Sequence, residues 1–397
     1  MIHTRFVAAM LAGAASVALA GPAFAVDGAD LVNKLNAANA VSGVTIGYAS
    51  IEDNGDTLIL KGMTVTPKDL NKADFGDVVL EGVEEDGSGG YTIETVAFPD
   101  VNKTKDDVTV VASELRITGV AIPAVANTGS LDSMLMYEGA STGPVSVTVK
   151  GTEVFSTTGI DGNITRMAAD AGIEFDGTIS GLKADLTQVE DPKAKATIEQ
   201  LGLQQLTGEI TMNGSWELAS GKFSIDEYAF DFADVGKLNI ALAFSGYTPD
   251  FVKGVQEAMQ ASQANPNKEE ANAALGMSMM GLMQQLSFES ASVTFEDASL
   301  TKKLLAFAGA QQGVTGDQMA QSLKGLVPIM MAQLQMPDLQ NQVSSAVNTY
   351  LDDPKSLTIS AEPDNPVPFP MIMGAAMGAP TTIPQVLGVT VSANDEM

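Results

Sequence analysis

The 397-residue chain has no cysteine and one histidine, His3. Without cysteine there are no disulfides, no thiolate nucleophile and no thiolate metal site. Arginine is almost as scarce. Arg5, Arg116 and Arg166 are the whole set, too few for a bidentate anion clamp. Trp216 is the single tryptophan. No stretch after the N-terminal segment reaches the roughly 18 apolar residues of a spanning helix.

The N-terminal segment explains part of this shortage. His3 and Arg5 form a short positive head, Phe6 to Ala20 is apolar and small, and "PAFA" ends at Ala25. This pattern predicts a cleavable Sec-type signal peptide over 1–25, export to the periplasm, and a mature protein starting at Val26. No cysteine follows the site, so lipidation there is excluded. Cleavage would take the only histidine with it. That excludes Ser-His triads, histidine bases, common zinc sites and haem ligation through histidine. Loss of Arg5 leaves 20 basic against 49 acidic residues, a net charge of −29. Such a field repels nucleic acid and anionic lipid surfaces. With no disulfides, the 372 residues left after removing 25 from 397 must be stabilised by burial, and they are ample for that.

What is abundant is alternation. "TLILKGMTV" (57–65), "DVVLEGVEE" (77–85), "YTIETVAF" (91–98), "VTVVASELRITGVAI" (108–122), "VSVTVKG" (145–151), "IEFDGTISGLKADL" (173–186) and "GEITMNGSWEL" (208–218) carry the period of two. "EDNGDT" and "EEDGSGG" between them read as hairpin turns. Short connections predict antiparallel neighbours, and clean alternation predicts one apolar and one wet face. In "GKFSIDEYAFDFADVGKLNIALAFSG" (221–246) the phase slips at Asp226–Glu227, as a β-bulge would make it slip. "YTIETVAF" aligns with "FSIDEYAF" (223–230) at an offset of 132, which suggests an internal duplication with Phe98 and Phe230 as equivalents. "SFESASVTF" (287–295) carries a similar slip. An apolar-x-Gly element recurs at Gly62, Gly82, Gly119, Gly151, Gly177 and Gly214. Repeated bulges or strand ends both account for it.

After Tyr247 the period changes to that of helices. Residues 268–286 put Leu275, Met279, Leu282, Met283 and Leu286 on one face. Residues 315–334 do the same with Met319, Leu323, Leu326, Met330 and Leu334; Thr315 is the expected N-cap, and Pro328 should kink or end that helix. Residues 337–351 form a third helix. "SLTISAEP" (356–363) and "VLGVTVSAN" (386–394) return to strand, around a Pro-bounded apolar segment. The expected fold is α+β, mainly β: a long antiparallel coiled sheet, a meander or trough, with C-terminal amphipathic helices. The expected units are the signal peptide 1–25, a β domain 26–248 and a helix-rich part 249–397 with returning strands.

Few constellations offer chemistry. Asp226–Glu227 and Glu84–Asp86 are the acidic pairs to weigh for catalysis, but among 49 acids such neighbours arise by chance. "EDNGD" and "EEDGSGG" are oxygen-rich without EF-hand spacing, and turn chemistry explains both. "MSMMGLM" (277–283) could hold Cu(I) through Met279, Met280 and Met283, while helix packing uses the same residues. The apolar sheet face is either a core beneath the helices or an open trough for acyl chains.

The serial strands of "LTGEITMNGSWELASGKFSIDEYAFDFADVGKLNIALAFSGYTP" (206–249) resemble the AsmA-like group of Gram-negative envelope proteins. The stretch 300–369 resembles an alphaproteobacterial periplasmic family of unknown function. The resemblance spans about 40–395. It implies an elongated β-trough that handles lipid, without assigning any site residue, and AsmA-like proteins normally keep an N-terminal membrane anchor where this chain has a cleavable signal. The expectation is a non-enzymatic periplasmic protein, without cofactor or metal. It would bind a hydrophobic envelope component such as lipid, and would not bind nucleic acid or span the membrane. The alternative is a structural or protein-interaction factor with a closed core. An outer-membrane barrel is disfavoured by the polar "NDEM" end and the shortage of Tyr and Trp for girdles.

Overall fold

A computed structural model of the chain describes residues 26–40, 43–67, 71–126, 129–333 and 335–395. The expected signal segment 1–25 and Leu334 lie outside the described residues. Helix α1 (Gly28–Asn39) comes first. Strands follow as β1 (Val44–Gly47), β2 (Ser50–Asp53), β3 (Thr57–Pro67), β4 (Ala73–Glu85), β5 (Tyr91–Ala97), β6 (Val101–Lys105) and β7 (Val108–Ala112). The series continues with β8 (Arg116–Ile122), β9 (Gly139–Thr142), β10 (Val145–Val149), β11 (Thr152–Thr157), β12 (Gly159–Arg166) and β13 (Gly172–Asp185). Helix α2 (Pro192–Leu201) leads to β14 (Gln205–Glu217), β15 (Lys222–Phe232) and β16 (Gly236–Ser245). Helices α3 (Pro249–Ala264) and α4 (Lys268–Met283) precede β17 (Ser287–Asp297). Helices α5 (Leu300–Gln311), α6 (Gly316–Ala332) and α7 (Pro337–Asp352) precede β18 (Ser356–Ala361) and β19 (Val367–Pro368). The chain closes with α8 (Phe369–Gly378), α9 (Ile383–Val386) and β20 (Val389–Ala393).

All twenty strands belong to one open antiparallel sheet, as the alternation predicted. Several strands lie end to end as halves of a single crossing: β1 with β2, β5 with β6, β7 with β8, β9 with β10, β11 with β12, and β18 with β19. Counted as rungs, the sheet is a meander in which each rung pairs with its predecessor and successor in the chain. Fourteen rungs at the usual spacing of about 4.8 Å make a sheet roughly 60 Å long. The breaks line up. Residues 98–100 face 113–115, which face 142–144, then 158, then 180–181. Glu114 and Gly181 take positive φ there, at 55° and 59°. Interruptions in register across five rungs make a crease, because each locally bends its strand.

The pairing register puts one face of the sheet in view. One row runs Leu58, Leu80, Val96, Ile117, Ala140, Gly162, Gly177, Met212, Tyr228, Ile240, Val293, Ile359, Val391, each directly opposite the next. It contains no charged residue from β3 to β20. The neighbouring row on the other face includes Arg116, Ser141, Asp161, Thr178, Thr211, Asn239, Thr294, Thr358 and Ser392. Period-two side-chain alternation thus sets an apolar row against one that starts with Ile59, Val79 and Ala97 and is polar from β8 onward except at the buried Ala229. Hydroxyl pairs link strands on the polar face: Ser215 with Ser224 at 3.0 Å, Thr294 with Thr358 at 3.0 Å, Ser360 with Thr390 at 2.7 Å.

Helix α1 covers the first part of the apolar face. Asp27 caps it by accepting from the Ala29 and Asp30 N–H groups. Leu31 and Val32 pack into a buried cluster with Leu58, Leu60, Val78, Leu80, Tyr91 and Ile93. At each sheet edge a helix side chain pairs with one strand residue. Asn36 of α1 accepts from Ile46 N–H at 2.7 Å and donates to Ile46 C=O at 2.9 Å, as a neighbouring strand would. At the far edge Val391 N–H donates to the Gln342 carbonyl of α7 at 3.2 Å. Unpaired edge groups invite another chain, and these amides occupy them.

Some local expectations are corrected. Pro328 does not end α6, which runs on to Ala332 with the proline inside it. Thr315 caps α6 in a capping box with Gln318, as expected. The bulge at Asp226–Glu227 is present, since the register shifts between Ile225 and Tyr228. Strand β5 keeps an unshifted register with β4 and β8 through the matching segment. Its phase change is instead shared with its neighbours, where Gly82 and Gly119 take φ of +64° and +60° opposite Glu94. Of the other recurring glycines, Gly151 is a hairpin turn, and Gly214 lies under the Phe175 ring, where a Cβ would meet Ser224 O at 2.1 Å.

Candidate functional site: an open apolar face

Beyond β13 the apolar face loses its cover. Leu58 is fully buried, whereas Val293 and Ile359 in the same row are 43% and 49% exposed. Met212 and Leu242 are exposed as well. On either side of this row run Ile210, Phe230, Leu238, Phe295 and Leu357, and Phe175, Ile225 and Leu242. All but Leu242 are half-buried. Between the covered and open parts the row passes Ala140, Gly162 and Gly177, so the floor there is nearly bare backbone.

The face ends in an aromatic cluster where β13–β16 start or finish. Phe175 stacks on Phe223 with centroids 5.7 Å apart, and Phe223 lies 5.4 Å from Phe244. Tyr247 stands 5.8 Å from Trp216 and 5.4 Å from Phe251 of α3. Trp216 is buried, and its Nε1–H donates to Tyr247 C=O at 2.7 Å, so the indole is satisfied and fixed. Over this cluster opens a cleft of about 1000 Å³. Ile173, Phe175, Trp216 and Phe223 form its base; the end of α1 and the 133–135 segment form one wall, and α3 the other. Most of its polar groups sit on the α3 wall: Asp250, Lys253, Gln256, Glu257 and Gln260, with Lys253 and Glu257 at 4.0 Å; Asn39 and Ser133 line the other wall. A deep apolar base with a polar rim suits an amphiphile.

The residues weighed for chemistry do not come together. Asp226 is exposed at the bulge. Glu227 accepts from Lys237 Nζ at 2.8 Å and from Asn213 Nδ2 at 3.3 Å. That contact with Glu227 raises the Lys237 pKa. Asp86 closes its turn by accepting from Ser88 Oγ, Ser88 N–H and Gly90 N–H, and these bonds, Ser88 Oγ first, hold its carboxyl below the usual range. Asp53 accepts from Gly55 N–H at 2.9 Å, so "EDNGD" is the β2–β3 turn. Among the described residues no group of three or more His, Asp or Glu is placed to hold a metal. Of the methionines in "MSMMGLM", Met279 is half-buried while Met277, Met280 and Met283 are exposed.

The cleft residues escaped the sequence reading. Trp216, Phe223 and Phe244 stand in different strands, and only the register shows that they face one another. The in-phase aromatics of 223–244 were the available signal. A family model described as "Uncharacterized protein" matches residues 229–394, from inside β15 to just past β20. No curated protein matches the chain.

Proposed function

We propose that the protein is a non-enzymatic periplasmic carrier that holds the acyl part of an envelope lipid along the open face of its sheet. The observation that carries this reading is the single apolar row whose members go from full burial at Leu58 to half exposure at Ile359. A soluble chain leaves a contiguous apolar surface of this kind for something to bind. The aromatic cleft at the strand ends gives the chain a terminus in which to seat, with polar α3 groups beside the head group. The carboxylates that could serve as acid and base are exposed, ion-paired or spent on turns, which supports binding over catalysis. An AsmA-like relationship, suggested by the strand patterns, fits the same reading.

Trp216, the single tryptophan, stands at the base of the cleft and supplies the test. A fatty acid brominated on its chain should quench Trp216 fluorescence in a saturable way, and an unbrominated fatty acid should compete. No quenching at ligand concentrations that saturate known fatty-acid carriers would refute the reading. Native mass spectrometry of the protein from its own periplasm should show a co-purified lipid.

A further inference from the structure

The sheet's helices are not spread evenly. The β16–β17 connection carries α3 and α4, and the β19–β20 connection carries α8 and α9. Both connections leave the sheet at the end where the aromatic cleft opens, because Ser245 pairs with Ser287, Ser287 pairs with Pro368, and Phe369 N–H donates to Leu286 C=O. Part of each insertion has an unusual composition. Residues 271–288 and 365–394 contain no Asp, Glu, Lys or Arg, in a chain with a net charge of −28. They also expose large apolar side chains: Met277 at 70%, Met280 at 60% and Met377 at 84%, together with Met283 and Met371. Met259 on α3 is exposed as well.

We infer that this end of the molecule docks on a lipid bilayer of zwitterionic head groups, with α4 and α8 as the contact. The charge pattern selects that occupant. A protein this acidic is repelled by an anionic surface, so α8 and the part of α4 after Glu270, which carry no charge, are complementary to an electrically neutral one. Unbranched methionine side chains enter the irregular head-group and acyl boundary at little conformational cost. No helix among the described residues is long and apolar enough to cross a membrane, so contact by α4 and α8 would be peripheral. Both connections leave the sheet at the end where the apolar cleft lies, so docking there would bring that end to a bilayer. The inference goes beyond the carrier reading and stands on the helices' own surfaces.

Vesicles of phosphatidylethanolamine and phosphatidylcholine provide the assay, by flotation of the full chain. The parent should float with these vesicles. It should float less with vesicles to which phosphatidylglycerol has been added. Met277→Glu with Met280→Glu, and separately Met377→Glu, should each lower partitioning at least about tenfold, since a carboxylate in the boundary costs more than the roughly 1.4 kcal/mol that a factor of ten represents. These side chains are exposed, so both variants should fold, and both should keep the bromolipid quenching of Trp216. A parent that ignores neutral vesicles overturns the docking inference and leaves the carrier reading untouched. Parent and variants that float equally overturn the assignment to α4 and α8. A parent that dimerises without vesicles, and is made monomeric by the same substitutions, shows that the face is covered by a second copy instead.

Discussion

Leu58 and Ile359 stand in one cross-sheet row, and truncating each to alanine separates an open face from a closed one. Leu58 is 0% exposed beneath α1. Its removal leaves a cavity that packed neighbours cannot fill, so Leu58→Ala should cost about 3–4 kcal/mol. Ile359 is 49% exposed. Truncation there removes about three methylene equivalents, worth about 2.4 kcal/mol when covered and about half of that when half is already wet. Water takes the vacated space, so no cavity penalty is added. The expected cost of Ile359→Ala is therefore about 1 kcal/mol. Urea melts of parent and variants, fitted with a common slope, measure both. In the presence of a bound fatty acid the Ile359 cost should rise, because the ligand buries that side chain and its binding is linked to stability. An Ile359→Ala cost of 3 kcal/mol or more without ligand would mean that the face is covered in solution, and the carrier reading would fall with it.

Gly177→Leu should fill the bare part of the floor. A Cβ there meets only Asp161 O at 3.5 Å, so the melt should change little while quenching of Trp216 by bromolipid weakens; a loss of the 1–3 kcal/mol typical of overpacking would indicate a filled core instead. Asn36→Ala removes two edge hydrogen bonds at roughly 1 kcal/mol each and should make the protein associate with rising concentration, which light scattering would detect. Acid should destabilise the fold. Gly62 N–H and Lys61 hold the Asp77 carboxyl below its ordinary range, and Asp30, Asp86 and Asp185 are lowered in the same direction. A depressed carboxyl contributes stability that is present above the unfolded value near 3.9 and is lost as pH falls through the folded one. Thermal melts should therefore be flat above about pH 5 and fall below about pH 4, with a shallower fall in Asp77→Asn.

Much of the sheet was legible because amplitude and period coincide in its long strands. Segments such as "TLILKGMTV" and "GEITMNGSWEL" alternate large apolar with polar residues, and they became β3 and β14. Strands β9, β11 and β12 were not read, although they are central. The apolar row crosses β9 and β12 at Ala140 and Gly162, side chains too small to mark a period. The same smallness that hides these strands makes the bare floor. Helix α1 was missed for a related reason: Leu31, Val32 and Leu35 are its only large apolar residues, enough for one narrow contact. Hairpin turns were legible from Asn, Asp and Gly alone. The cleft was not, since it depends on which strand stands beside which, and register is a property of pairs of segments.

The open state of this sheet follows from where its cover stops. An antiparallel meander can bury its apolar face by curling into a barrel, by pairing with a second sheet, or by laying helices across it. Here α1 takes the third course for the first strands only, and Leu58, Leu80 and Ile93 are buried under it. Helix α7 goes to the edge, where Gln342 caps Val391. The amides of Asn36 and Gln342 each occupy one residue at the two edges, and the row from Met212 to Ile359 stays half-exposed in an open sheet. A net charge of −28 opposes association of such molecules while that row is bare. Apolar surface costs stability when wet and returns it when covered, at about 25 cal/mol per Å². On the carrier reading proposed above, a sheet left open along this uncharged row would take its missing cover from a ligand.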